Sequence, residues 1–188
     1  MLLNTIHYIV IPLILFSLTT TSHADPYEIN GAIDSTEGAP LPMHMQTHGE
    51  KLILVDPNEH YWGAYNSQGK LIRWGIASAG ADWCTDSDHS CRTKTGIFRI
   101  YSLGESNCIS TKFPIPDGGA PMPYCMYFTN GQAIHGSSET ILDNESHGCV
   151  RIHIDEAKWL RHHFAEGPAS MNHYHGTKVM ILPYATSL

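Results

Sequence analysis

From Lys51 onward the chain repeats one pattern, short apolar runs cut off by turn residues. "KLILVD" and "YWGAY" are followed by Asn66-Ser67-Gln68-Gly69 and then by "KLIRWGIAS". Stretches this short, rich in β-branched and aromatic residues and bounded by Asn, Gly and Pro, specify strands and hairpins. The pattern continues in "GIFRIYS", "YCMYFT" and "GQAIHG", punctuated by "FPIPDGGAPMP", and "TKVMILPY" supplies a closing strand. One segment breaks it. In "DEAKWLRHHFAEG", Asp155 is placed to cap a helix, Ala157, Leu160 and Phe164 recur on one face, and Gly167-Pro168 stops it. The expectation is a mainly β fold with a single helix, and 188 residues with 42% apolar content suffice for one core.

Upstream of that domain two segments are expected. Residues 1–24 read as a signal peptide, with an apolar run of 11 residues from Tyr8 to Leu18 and small residues in Ser22-His23-Ala24 where a signal peptidase reads. The run falls short of the ~20 residues that span a bilayer, so no stable membrane anchor is expected. Residues 25–49, rich in Pro, Gly, Ser and His, read as a flexible arm, and residues 50–184 as the folded catalytic domain. A formal net charge of -7 offers no basic footprint for a nucleic acid. Export to the periplasm or beyond meets an oxidising compartment, where thiols pair. With Cys149 left free, Cys84, Cys91, Cys108 and Cys125 can pair in three ways; locality favours Cys84 with Cys91 and Cys108 with Cys125.

Cys149 stands in "ESHGCVRIH". A thiolate is the nucleophile, and an ordinary thiol is mostly protonated at neutral pH, so a base is needed. His135, ending "QAIHG", and His147 are the candidates. A tight turn at Gly148 breaks the strand alternation that would align His147 with Cys149, which makes His135 the expected base and His147 a support for the loop. Gly148 lets backbone approach the group under attack, so that amides of the turn can stabilise an oxyanion. Arg151 suits a substrate carboxylate, with Ser137 and Ser146 as weaker substrate-side candidates.

"HGSSETILDNESHGCVRI" resembles the signature of the L,D-transpeptidases, the YkuD-type catalytic domain, in which His-Gly precedes Ser-His-Gly-Cys-hydrophobic-Arg. The likeness extends to "KLILVDPNEHYWGAYNSQGKLIRWGIAS", "TKTGIFRIYS" and "PMPYCMYFTNGQAIHG", covering roughly residues 50 to 155. Two places differ: Thr93-Lys94-Thr95-Gly96 stands where the family has Thr-Pro-x-Gly, and the loop between His135 and Ser146 is tighter. The resemblance implies a β-sandwich-like domain with a capping helix. It also implies that Cys149 is the nucleophile, His135 the proton acceptor and His147 the supporting histidine, with Ser146, Gly148 and Arg151 in the remaining motif places. The activity implied is acyl transfer on peptidoglycan stem peptides, to a neighbouring stem or a lysine-bearing lipoprotein, with no metal or organic cofactor.

Two rival readings use the same residues. An L,D-carboxypeptidase or cysteine peptidase on this fold would pass the acyl group to water. A metal-binding module would use His135, His147 and Cys149, with His162, His163, His173 and His175 nearby in sequence.

Overall fold

The computed structural model describes residues 36–185. The segment expected to be a signal peptide lies outside them. Among the described residues no helix is long and apolar enough to cross a membrane.

Nine strands form one sheet: β1 (Leu52–Asp56), β2 (Tyr61–Tyr65), β3 (Leu71–Ser78), β4 (Gly96–Arg99), β5 (Ser102–Leu103), β6 (Met126–Thr129), β7 (Gln132–Ser137), β8 (Val150–His153) and β9 (Lys178–Ile181). Their order is β4-β9-β1-β2-β3-β8-β7-β6-β5. β3 turns the corner, since Leu71 to Ile76 pair with β2 while Ala77 and Ser78 pair with β8. The sheet curls until strands near its two ends meet, with the rings of Phe98 on β4 and Phe128 on β6 5.6 Å apart. The expected sandwich is thus one sheet folded over itself.

Alternation explains the core. Ile53 and Val55 face inward with Trp62, Ile152 and Val179, whereas Leu52 and Leu54 face the opposite side with Tyr65 and Leu71. Both faces of β1 are covered, which is why "LILV" is apolar without a break. Part of the segment expected to be a flexible arm covers this second face, while its residues 25–35 lie outside the described residues. Leu41 is buried there, the Leu71 amide donates to Met43 O at 2.9 Å and the Met45 amide to Gly69 O at 2.8 Å. Apolar surface on β1–β3 draws residues 39–47 onto the domain.

The helix α1 (Ile154–Trp159) continues as a wider π-type turn over Leu160–Phe164. Its cap is His153, whose Nδ1 accepts from the Asp155 amide at 3.4 Å; Asp155 instead sits inside the first turn. The helix also stops before Gly167, at Ala165, which is extended and whose amide closes onto Leu160 O at 2.7 Å. Glu156 on α1 forms a forked ion pair with Arg73 on β3, at 2.7 and 3.2 Å, both residues buried, and the guanidinium lies 4.5 Å over the Trp159 ring. A pair so desolvated fixes where the helix docks more than it adds net stability. α1 thereby packs against β7 and β8, the two strands that flank the candidate site.

Candidate active site

β7 and β8 run parallel at the centre of the second half of the sheet, with Ile134 opposite Val150 and His135 opposite Arg151. Cys149 is the residue before β8, so it stands beside Ala133 on β7, two residues before His135 on the same strand. A cleft of about 370 Å³ opens over this point, and Cys149, His135, His147, Arg151, Ser137 and Ser146 all line it. The opposite wall is Ser110, Phe113, Met122 and Pro123, from the segment between β5 and β6. The Cys108–Cys125 disulfide closes that segment.

His135 is buried, and its Nδ1 lies 2.9 Å from Gly136 O. A carbonyl only accepts, so Nδ1 carries the proton and Nε2 keeps its lone pair. Burial lowers the ring's pKa from its ordinary 6.5 to about 4, against the hydrogen bond to Gly136, which raises it. Cys149 is free, and burial pushes its thiol pKa up, opposed by a backbone hydrogen bond from Ala133 and the charge of Arg151. The resting pair at neutral pH is therefore thiol and neutral imidazole, not thiolate and imidazolium. One consequence is measurable: the rate of Cys149 alkylation by iodoacetamide should climb steadily from pH ~6 to ~9. A plateau already reached near pH ~5 would mean a preformed ion pair.

The turn that presents Cys149 differs in detail from expectation. Gly148 has φ 115°, a conformation open to glycine, but its amide donates to Ser146 Oγ at 3.0 Å. The Ser146 hydroxyl in turn donates to Cys149 O. The Ser146 side chain thus holds the turn from within while lining the cleft. Gly148 contributes its backbone shape, its own amide being spent on Ser146 Oγ. Ser137 Oγ accepts from the Glu139 amide at 3.0 Å, and Arg151 Nη1 lies 3.7 Å from Glu139 Oε2. Glu139 is exposed, so this ion pair holds Arg151 only weakly.

His147 Nε2 lies 2.7 Å from Asp86 Oδ2, and its ring lies 4.4 Å from that of Phe113. The hydrogen bond from His147 lowers the Asp86 pKa. Asp86 belongs to the loop closed by the Cys84–Cys91 disulfide, and nothing in the sequence pattern singled it out. Among the described residues, the donor atoms close enough to hold a metal are those of Cys84, Cys91 and His147, all within 4.8 Å of one another. The two sulfurs are bonded to each other. The set named by the metal-binding reading, His135, His147 and Cys149, is not that cluster.

Comparison with known proteins matches residues 50–181 to YkuD, the L,D-transpeptidase catalytic domain. Similar solved structures include an L,D-transpeptidase from Xylanimonas cellulosilytica, 23% identical with a TM-score of 0.59, the match covering 76% of this chain and 65% of that one. One from Mycobacterium smegmatis is 19% identical, with a TM-score of 0.54 and coverage of 71% and 59%. One from Mycobacterium tuberculosis is 16% identical, with a TM-score of 0.54 and coverage of 71% and 57%. The chain thus spans less than two thirds of the length of each. No curated protein matches the sequence.

Proposed function

Because the chain belongs to the YkuD family of L,D-transpeptidase catalytic domains, we propose that it is an exported cysteine acyltransferase acting on peptidoglycan stem peptides. Cys149 Sγ attacks the carbonyl carbon of the third stem residue as His135 Nε2 takes the thiol proton. The developing oxyanion accepts from the Cys149 amide. The tetrahedral intermediate collapses, the C–N bond to the terminal D-alanine breaks, and His135 returns its proton to the departing amine. A thioester remains on Cys149. An amine on a second stem, or on a lipoprotein lysine, then attacks the thioester while His135 takes its proton; Sγ leaves and is reprotonated. Covalent catalysis divides one amide exchange into two easier steps.

What supports this reading most is one juxtaposition: a free cysteine just before β8 and a histidine with a bare Nε2 on the adjacent parallel strand β7 line the same cleft. Arg151 is assigned to a substrate carboxylate, Ser137 to the rim of the cleft and His147 to support of the loop. The test incubates the purified protein with a disaccharide-tetrapeptide and follows products by mass spectrometry. Dimers that have lost one D-alanine are expected. Tripeptide without dimers would assign the acyl group to water, and an unchanged donor would refute the substrate class.

A further inference from the structure

Thr93 makes no contact with the cleft, yet it holds the peptide that the cleft depends on. It is almost fully buried, at 1% exposure, and does not line the cavity. Its Oγ1 accepts from the Gly80 amide at 2.9 Å and donates to Gly148 O at 2.9 Å. With one hydroxyl proton and a carbonyl partner, the direction of the second bond is fixed. The Thr93 amide donates to Tyr184 Oη at 3.0 Å, and that hydroxyl donates to Gly80 O at 3.0 Å. Thr93 is thereby locked on three sides. Space for this exists because residue 80 has no side chain: a Cβ there would lie 2.0 Å from Cys91 O, 2.7 Å from Thr93 N and 2.9 Å from Gly148 Cα.

A trans peptide sends its C=O and N–H in opposite directions. The Gly148 carbonyl points to Thr93, on the buried side. The Cys149 amide of the same peptide must point the other way, to the side on which Cys149 lines the cleft. We infer that Thr93 is a positioning residue for the oxyanion donor: through its bond to Gly148 O it aims the Cys149 N–H at the carbonyl oxygen of the group that Sγ attacks. The inference rests on Cys149 being the acyl-accepting nucleophile. It adds that the Thr-Lys-Thr-Gly segment shapes the transition state through its first threonine and not through contact with substrate.

Two reagents separate this role from a scaffolding one. p-Nitrophenyl acetate acylates a thiol through an oxyanion, whereas iodoacetamide alkylates it by displacement and forms none. Thr93→Val should slow Cys149 acylation about 10- to 100-fold, less than or similar to the loss of a donor itself. Alkylation should stay within about 2-fold, which also reports a folded site, and Thr93→Ser should recover acylation. Equal falls in both rates would make Thr93 a scaffold residue and overturn the inference. Unchanged acylation in Thr93→Val would overturn it too, leaving the proposed function standing. If the unsubstituted protein is alkylated at Cys149 but never acylated there, the reading of Cys149 as nucleophile fails and the inference falls with it.

Discussion

Cys149→Ala is expected to lower turnover of a tetrapeptide donor by at least about 10⁴-fold, because no other group could carry the acyl intermediate. The other cysteines among the described residues are spent in the Cys84–Cys91 and Cys108–Cys125 disulfides. The substitution removes one atom at the floor of a cleft and touches neither bridge. Thermal unfolding should therefore move by only a few degrees at most, about 1 kcal/mol or less in a domain of this size. Turnover within about 10-fold of the unsubstituted protein would place the nucleophile elsewhere. A large loss accompanied by unfolding would say nothing of chemistry, so the melting curve belongs in the same experiment.

His135→Asn is the second large effect, expected at about 10²- to 10⁴-fold in kcat, the usual worth of a general base. The residue also leaves a mark on stability. Its pKa in the folded chain is near 4, against an ordinary 6.5, so the unfolded chain takes up a proton first as the pH falls. The stabilising contribution of the neutral ring is complete above pH 6.5 and is lost as the pH drops towards 4, amounting to about 3 kcal/mol. His135→Asn should lose correspondingly less stability than the unsubstituted protein between those pH values, in urea unfolding at fixed temperature. Parallel stability curves for the two proteins would mean that His135 titrates normally and is solvated.

Most strands were legible because their signal is local. Turn residues mark β2, β3 and β7 within a few residues, β3 also by alternation, and the unbroken run of β1 follows from burial on both faces. β8 was missed because it has four residues pressed between a tight turn and a helix, and what makes it a strand is its pairing with β3 and β7. The packing of Leu41 was not legible for a similar reason: it has no period of its own, and only the apolar outer face of β1–β3 gives it a place. His153, not Asp155, caps α1 because β8 runs directly into the helix.

The candidate site divides along the same line. Cys149, His135, His147, Gly148 and Arg151 lie in two short motifs, and the parallel pairing of β7 with β8 brings those motifs together. Asp86 comes from a distant part of the chain and acts on His147 through a single hydrogen bond, which leaves no pattern in a sequence; Thr93 was legible as a motif residue but not as a partner of Gly148 O. Ser146 was legible as a motif residue but not as the clasp of its own turn. The preferred cysteine pairing was accessible from locality alone, and the structure has those two bridges.

The central claim is that a stem peptide becomes a thioester on Cys149, and the acyl-enzyme itself is the most direct object to measure. The protein would be mixed with a tetrapeptide donor, quenched in acid within one turnover, weighed intact and then digested to map the modified peptide. A mass increase equal to the donor less one alanine, located on the peptide that contains Cys149 and released by hydroxylamine, is the predicted result. An unmodified protein during active D-alanine release, or an adduct on any other residue, would contradict the account.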